Sequence, residues 1–335
     1  MNNNINFKYI DKIILLIIIY NWNNLYNFLF YKNSYRNNFY NLYITEYNNK
    51  FIIIKYNCRV CGLFTIYVNF LNCINTFINK GYIPIIDLNA YPNIFNKFNS
   101  SNINKNPWEE YFHQPLGFSL EQVKANSKNI IYLEYNNYNK TICKSYGIAN
   151  YFFKNKVTLE YWHNIALKYI PIKTIIFNES IKIFKKLFKN NKNILGILLR
   201  GTDYISRKPK GHSIQPTPEL VINDVIEMDK KNNYNYFFIT TEDEIILNKF
   251  IKKFGKKLKY NYQNFIYNYK EKNYICYNEN ILGNINFQKT YLINIIILSN
   301  CIDIITSQTN GFYGAMILSN GFRHSKIYDL GRYKN

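Results

Sequence analysis

The stretch Ile194-Leu-Gly-Ile-Leu-Leu-Arg-Gly-Thr-Asp203 decides the fold of the second half of the chain. Its first part, Ile194–Leu199, has no polar side chain, which is typical of a strand buried on both faces of a parallel sheet. Arg200 follows this strand directly. Because burying an unpaired arginine is costly, Arg200 either pairs with Asp203 or binds an anionic ligand. Its planar guanidinium donates two parallel hydrogen bonds, which suits a phosphate.

Strands and helices alternate on both sides of this stretch. Towards the N-terminus, Phe51–Tyr56, a helix over about 62–79 and Tyr82–Asp87 predict a βαβ unit with a parallel sheet. A helical region with a break at Pro171 leads into the second half. The later strands are predicted at Tyr236–Thr240, Cys301–Thr306 and Lys326–Leu330. We therefore predict an α/β fold with two halves and a ligand cleft between them.

The composition excludes several classes of protein. The chain has 335 residues, 47% of them hydrophobic, which excludes a disordered chain and a disulfide-stapled miniprotein. Its 42 Lys+Arg and 21 Asp+Glu give a formal net charge of +21, and the abundance of Asn, Ile and Lys indicates AT-rich coding. A basic protein attracts nucleic acid or phosphorylated substrates. No nucleic-acid-binding motif accompanies the charge, so we predict no nucleic-acid partner.

The cysteine pattern predicts ordinary buried thiols. The chain has six cysteines, namely Cys58, Cys61, Cys73, Cys143, Cys276 and Cys301. The close pair Cys58-Arg-Val-Cys61 lacks the second pair of ligands that a structural zinc site needs. It also lacks the rest of a thioredoxin pattern, although a redox pair stays open as an alternative. Reduced cysteines favour the cytoplasm.

The N-terminal segment is aromatic and basic. Its apolar run, Ile13–Ile19, is shorter than the roughly 20 residues that a membrane-spanning helix needs. No small-residue cleavage site follows the run, which argues against a cleaved signal peptide. With Lys32 and Arg36 behind it, the segment either lies on an anionic membrane surface or packs as a core helix.

Two further strand ends carry polar groups, and carboxyl ends of parallel strands are where such sheets bind ligands. Thr241-Glu-Asp-Glu244 follows one strand; it reads as a helix cap or as carboxylates that accept from a ribose or a base. Ser307-Gln-Thr-Asn-Gly311 follows another strand and opens a helix, which is an arrangement that binds anions. Together with Arg200 these ends predict a diphosphate site. The chain has neither a dinucleotide-binding glycine motif nor a Walker A motif.

These motifs resemble those of the fucosyltransferase superfamily that includes α-1,2-, α-1,6- and protein O-fucosyltransferases. Leu198-Leu-Arg-Gly-Thr-Asp-Tyr204 is similar to its arginine motif. Phe237-Phe-Ile-Thr-Thr-Glu-Asp-Glu244 and Thr306-Ser-Gln-Thr-Asn-Gly-Phe-Tyr-Gly-Ala315 are similar to its second and third motifs, in the same order. Gly81–Asp87 and Trp108–Phe112 are less specific matches. The chain departs at Leu198, where members often have His, and at Gly201, where many have a second Arg.

The resemblance implies a GT-B-like architecture, with two Rossmann-like domains facing a central cleft. It implies domains at 49–165, on the acceptor side, and at 166–335, which binds the nucleotide sugar, after the N-terminal segment 1–48. It implies an inverting transfer of L-fucose from GDP-fucose to a hydroxyl, without a metal or another cofactor. The acceptor would be a glycan or lipid-linked glycan of surface-polysaccharide synthesis. The chain would act in the cytoplasm, or peripherally on the inner membrane face through residues 1–48.

Site residues are carried over from the motifs. Arg200 would hold the β-phosphate, and the guanine or ribose would contact Glu242 or Asp243. The residues themselves suggest the candidate bases, since an acid among aromatic rings suits a sugar site: Glu109, which we prefer, and Glu110, beside Trp108 and Tyr111, or Asp203. The remaining residues expected to contact the donor are Ser307, Gln308, Thr309, Asn310, Gly311 and, from the loop after Arg200, His212.

Three alternatives stay open at this point. The donor is a different nucleotide sugar, the chain binds a sugar nucleotide without catalysis, or the chain is a basic nucleic-acid-binding protein. The residues themselves also leave structural alternatives. In the alternative to a catalytic role, Glu109 and Glu110 are surface acids beside core aromatics. In the alternative to a donor contact, His212 is an ordinary loop residue.

Overall fold

The computed structural model describes residues 50–97, 105–136, 156–189, 191–261 and 282–334. All of these ranges belong to one compact unit, residues 49–335. The N-terminal segment 1–48, Cys143 and Cys276 lie outside the described residues, and so does most of the aromatic stretch after Tyr260. Among the described helices, none combines the length and apolar character needed to cross a membrane. The domain boundaries stay predictions.

The first sheet confirms the predicted βαβ unit. Strand β1 (Lys50–Asn57) pairs in parallel with β2 (Tyr82–Asp87) and with β3 (Ile130–Asn136), so the order is β2-β1-β3. Helix α1 (Leu63–Ile78) connects β1 to β2. The middle of β1, Phe51–Ile54, is buried, as expected for a central strand covered on both faces.

Helices link the two sheets. Helix α2 (Leu120–Asn126) precedes β3 and was not predicted from the sequence. After β3 come α3 (Lys156–Tyr169) and α4 (Thr174–Phe188), with Pro171 between them as predicted. Proline ends a helix because it has no N–H to donate and its ring clashes with the preceding turn.

The second sheet has five parallel strands in the order β6-β5-β4-β7-β8. The strands are β4 (Ile194–Leu198), β5 (Tyr236–Thr240), β6 (Leu258–Lys259), β7 (Asp303–Ser307) and β8 (Ser325–Tyr328). The helices between them are α5 (Thr202–Arg207), α6 (Pro218–Asn232), α7 (Glu244–Phe254), α8 (Ile285–Ser299) and α9 (Asn310–Ser319). Helix α6 contacts α7 and α8 contacts α9. The predicted α/β class with two parallel sheets is confirmed.

Two elements of this half were not predicted. Helix α5 lies where the sequence indicated a loop after Arg200, and its six residues are too few to show a helical period. Strand β6 has two residues, which is below the length that alternation can reveal.

Helices α1 and α9 pack against each other and join the two halves. A Cβ atom at Gly314 of α9 would lie 2.1 Å from Cδ1 of Phe64 in α1, so this contact needs glycine. The side-chain amide of Asn310 donates to Thr65 Oγ1 at 2.8 Å. The amino end of α9 is therefore tied to the amino end of α1.

The cysteines differ in part from expectation. Cys73 and Cys301 are buried thiols outside the disulfide, as predicted. The expectation of ordinary thiols is wrong for Cys58 and Cys61, which form a disulfide with their Cα atoms 5.7 Å apart. The turn between β1 and α1 brings these two side chains together, which cysteine spacing alone does not settle.

Asp303, at the start of β7, is a buried carboxylate that ties the amino end of β7 to the residues just before β8. Arg323 Nη2 donates to it at 2.6 Å and the His324 backbone N–H at 2.8 Å, and the Tyr234 hydroxyl donates as well. Burial raises the pKa of Asp303, but these hydrogen bonds outweigh it and lower the pKa overall. The charged form is therefore the stabilising one.

Asp303→Asn is expected to lower the free energy of unfolding at neutral pH. It is also expected to reduce the further loss of that free energy as the pH falls. With a lowered folded-state pKa, the contribution of Asp303 is fully present above its unfolded pKa of about 3.9 and is lost as the pH falls through the folded value. Urea unfolding at pH 7 and at steps down to about pH 3 measures this. Glu227→Gln, which removes an exposed carboxylate of α6, serves as the control. An acid profile identical to that of the wild type would contradict the prediction.

Candidate functional site

The candidate site lies where the second sheet changes direction. The chain leaves β4 towards β5 on one side and returns to place β7 on the other side. In such sheets a crevice opens beyond the carboxyl ends of the two strands at this switch point. Arg200 follows β4 and Gln308 follows β7, so two of the predicted ligand-binding segments meet there.

Arg200 is the cation of this crevice. Its Nη2 donates to Asp203 Oδ1 at 3.1 Å, its Nε lies 3.3 Å from Glu242 Oε1, and its guanidinium stacks 4.7 Å from the ring of Tyr204. The side chain keeps 20% of its surface exposed. Burial lowers the pKa of Arg200, but the carboxylates of Glu242 and Asp203 outweigh it and raise the pKa. The Arg200–Asp203 pair, one of the two alternatives that the sequence left open, exists, and a fifth of the Arg200 side chain is exposed.

The two acids after β5 have different partners. Glu242 Oε1 accepts from the backbone N–H of Gly201 and from the Thr202 hydroxyl, each at 3.0 Å. Asp243 Oδ1 accepts from Ile245 and Ile246 N–H groups at 2.9 and 3.1 Å and caps α7, while its Oδ2 accepts from Thr202 N–H at 3.0 Å. The cap expected as the structural alternative is therefore present at Asp243.

Glu242 is a buried carboxylate that faces a cation. Burial raises the pKa of Glu242, and Arg200 opposes that shift. Because Glu242 holds the turn at Gly201 and also lies beside Nε of Arg200, it orients the guanidinium. Its contact with a base or ribose stays a prediction.

The turn after β7 is held mainly by its own neighbours. Ser307 is fully buried and donates to Gln215 Oε1 at 2.6 Å, and the Gln308 carbonyl accepts from Ser213 Oγ at 2.8 Å. Thr309 caps α9 by accepting from Phe312 N–H at 3.2 Å. The hydroxyl of Ser307 thus binds protein. What remains of the predicted anion site is the amino end of α9, where a helix presents backbone N–H groups.

Gly311, in the first turn of α9, allows a close approach. A Cβ atom at this position would lie 2.2 Å from the hydroxyl of Tyr291. Tyr291 is also close enough to Arg200 to raise the pKa of the guanidinium. Tyr291 therefore contacts the first turn of α9 and lies near Arg200, and neither its position in α8 nor its type singled it out in the sequence.

His212 lies in a loop that the C-terminal residues hold in place. Gly211 N–H donates to the Tyr333 carbonyl at 2.9 Å, Tyr333 N–H to the His212 carbonyl at 3.0 Å, and Ile214 N–H to the Gly331 carbonyl at 3.0 Å. The His212 ring meets the ring of Tyr204 with centroids 5.2 Å apart. Burial lowers the pKa of His212, and Arg200 lowers it further against the effect of Asp203. The lowered pKa favours the neutral form of His212.

Glu109 belongs to the first half and joins two parts of a loop. Its Oε1 accepts from Leu120 N–H at 2.8 Å and from Gln114 Nε2 at 3.1 Å. Glu110 pairs with Lys105 at 2.7 Å. Trp108 is fully buried in the core, so its ring offers no face to a sugar. The catalytic role of Glu109 stays a prediction.

A small polar pocket lies beside the carboxyl ends of β5 and β6. Its polar lining comes from Thr240, Thr241, Tyr260, Asn261 and Asn294. Asn261 Nδ2 donates to Asn294 Oδ1 at 2.9 Å, and Asn294 Nδ2 donates to Thr240 Oγ1 at 3.4 Å. Asn294 is buried in the apolar middle of α8. A single asparagine in such an apolar run is the sequence signal for this pocket, which the motifs did not indicate.

Within the described ranges, no three His, Cys, Asp or Glu side chains are grouped so that they could hold a metal ion.

Comparison with known proteins gives structural likeness only. No protein-family model and no curated protein matches the chain. An α-1,6-fucosyltransferase, NodZ, soaked with GDP-fucose is similar at a TM-score of 0.48 and 12% identity, over 81% of this chain and 92% of that one. NodZ from Bradyrhizobium is similar at a TM-score of 0.47 and 13% identity, over 81% of this chain and 93% of that one. POFUT1 in complex with GDP-fucose is similar at a TM-score of 0.46 and 8% identity, over 86% of this chain and 100% of that one. Similarity at this level does not carry an activity from one protein to another.

Proposed function

We propose that this chain is a glycosyltransferase that takes its sugar from a nucleoside diphosphate donor. The observation that carries the proposal is Arg200: a partly exposed cation, held by two carboxylates at the switch point, close to the amino end of α9. A diphosphate placed there accepts hydrogen bonds from the free edge of the guanidinium and from the first N–H groups of α9. The sequence motifs favour GDP-fucose as the donor.

The chemistry proposed for this site is charge stabilisation. Transfer to a hydroxyl builds negative charge on the departing diphosphate, and preorganised donors stabilise it without moving. Arg200 is preorganised because Glu242, Asp203 and Tyr204 each touch its guanidinium. A base then takes the proton of the acceptor hydroxyl, with inversion at the sugar carbon. We propose Glu109 for this role, with Asp203 as the alternative.

The acceptor and the setting are also proposed. A glycan, or a glycan carried on a lipid, provides the hydroxyl group, as the sequence motifs suggest. We propose a cytoplasmic enzyme, with residues 1–48 as the segment to test for contact with anionic membranes.

Binding and turnover test the proposal separately. Calorimetry of the full chain with GDP, UDP and ADP is expected to show micromolar or tighter binding of one nucleotide. Incubation with the matching nucleotide sugar and a mixture of glycans is then expected to release the nucleoside diphosphate. Binding without release would favour the non-catalytic alternative. If none of the three nucleotides binds, the proposal is wrong.

We place the base of the donor over the mouth of the pocket beside β5 and β6, because the pocket itself holds about 10 Å³, which is room for about one water. The diphosphate at Arg200 and a ribose beyond β5 would direct the base towards Thr241, Tyr260 and Asn261. A carboxamide both donates and accepts, so it reads hydrogen-bonding edges of a purine. The edge that faces Asn261 then decides which nucleotide binds best.

Asn261→Asp is expected to change the ratio of GDP to ADP affinity by about tenfold, since a carboxylate only accepts and a mismatched polar contact costs about 1.4 kcal/mol or more. Affinity for inorganic pyrophosphate is expected to stay unchanged. Calorimetry with the three ligands measures both quantities. Asn235→Asp, at the opposite end of β5, is the control. An unchanged GDP-to-ADP ratio would remove the base from this pocket while leaving the diphosphate site intact.

A further inference from the structure

The Cys58–Cys61 disulfide is not among the residues proposed to hold the donor. It sits in the turn between β1 and α1, at the carboxyl end of the central strand of the first sheet. That is the edge at which a parallel sheet presents functional groups. The sequence left a redox pair open for these residues, and the structure shows the oxidised form.

The two sulfurs differ in access. Cys58 is partly exposed and its neighbours Asn57 and Arg59 are exposed, whereas Cys61 keeps 7% of its surface. An incoming thiolate can therefore reach Cys58 Sγ more easily than Cys61 Sγ. The positive charge of Arg59, next to Cys58, attracts an anionic nucleophile.

The leaving sulfur has a stabilising environment. Cys61 precedes Gly62, the N-cap of the 16-residue helix α1, and a glycine has no side chain with which to cap the helix end. A thiolate at Cys61 would lie at the positive end of the helix dipole, which favours the charged form. The free thiol of Cys301 shows the contrast, because burial raises the pKa of that thiol and it has no such helix end.

We propose that Cys58 and Cys61 are a redox-active pair that exchanges with dithiols. A thiolate of the dithiol attacks Cys58 Sγ, the Cys58–Cys61 bond breaks, and Cys61 leaves as a thiolate. The second thiolate of the dithiol then attacks the mixed disulfide and releases Cys58 as a thiolate. The dithiol becomes a disulfide, two electrons pass to the protein pair, and the two thiol protons pass to the protein thiolates or to solvent.

The redox state of the pair affects the contact between the two halves. The Arg59 carbonyl accepts from Ile94 N–H at 3.1 Å, and Thr65, one turn into α1, accepts from Asn310 of α9. Reduction removes the link that closes the turn. The amino end of α1 then opens more often, and its amides exchange with solvent faster.

Thiol mapping tests the proposal on the full chain. The protein is equilibrated in reduced and oxidised dithiothreitol at graded ratios, alkylated, and mapped by peptide mass spectrometry. Cys58 and Cys61 are expected to become alkylated together at one ratio, while Cys73 and Cys301 stay protected. Hydrogen exchange over residues 62–66 is expected to rise severalfold in the reduced protein. If the pair resists dithiothreitol until the protein is unfolded, or is already alkylated without reductant, the proposal is overturned.

The charge of Arg59 gives a second test that does not depend on removing a cysteine. Arg59→Ala is expected to slow reduction by dithiothreitol severalfold, with the effect shrinking in high salt. Lys80→Ala, which removes an exposed cation from the other end of α1, is expected to leave the rate unchanged. Equal rates for Arg59→Ala and the wild type would overturn the assignment of Cys58 as the sulfur that is attacked.

Discussion

Arg200→Ala is expected to weaken nucleoside diphosphate binding by about a hundredfold. A hydrogen bond to a charged group contributes about 1.5–3 kcal/mol, which is roughly 10- to 150-fold in affinity. The loss falls in the upper part of this range because Glu242 and Asp203 remain, now without their cation, and repel the diphosphate. Calorimetry with GDP, UDP and ADP measures the effect for each nucleotide.

Two further variants separate charge from geometry at this position. Arg200→Lys keeps the charge but loses the planar fork, so we expect an intermediate loss of about tenfold. Lys249→Ala removes an exposed cation from α7 and controls for the overall charge of the second half. Thermal unfolding of each variant shows whether it is folded. If folded Arg200→Ala binds GDP as tightly as the wild type, the diphosphate does not bind at this site.

Gly201→Ala is expected to lower the free energy of unfolding by about 3 kcal/mol. A Cβ atom at this position would lie 2.3 Å from Asp243 Oδ2 and 2.5 Å from Asp243 Cβ. Asp243 cannot move aside freely, because it caps α7 and binds the backbone of Thr202. Overpacking costs about 1–3 kcal/mol, and losing a helix cap adds about 1 kcal/mol.

Urea unfolding with two matched variants tests the Gly201 prediction. Gly62→Ala introduces a Cβ atom that meets nothing within 4 Å, and is expected to cost less than about 1 kcal/mol. Gly201→Ala combined with Asp243→Ala is expected to be more stable than the sum of the single variants, because the second change removes the clashing carboxylate. Additive effects would show that Asp243 does not constrain Gly201.

The same geometry limits what can follow Arg200 in this chain. With Glu242 and Asp243 packed against the backbone here, a longer side chain at Gly201 has no room on this side. A second arginine directly after Arg200 would therefore meet these two acids.

The elements that the sequence predicted well are those with long apolar runs. Ile194–Leu199 and Tyr82–Asp87 are buried in parallel sheets, where burial on both faces leaves a plain apolar signal. The position of Arg200 followed from the same rule, since the residue after a buried central strand lies at the edge that binds ligands.

The parts of the site that could not be predicted depend on contacts between distant segments. Ser307 reads as a phosphate ligand in a local motif, but its hydroxyl donates to Gln215, which lies 92 residues away in the chain. Tyr291 approaches Gly311 from another helix. The Cys58–Cys61 disulfide depends on the shape of one turn, which the spacing of two cysteines does not determine.

The pairing of residues 331–333 with the His212 loop has a consequence for how the protein is made. Ribosomes synthesise a chain from its N-terminus, so Arg200 and its carboxylates leave the ribosome long before the residues that hold the neighbouring loop. The loop beside Arg200 gains these hydrogen bonds only after residues 331–333 have also left the ribosome. A nascent chain can therefore fold its first sheet early, yet the second sheet and the loop beside Arg200 must wait for the segment that carries β8 and residues 331–333.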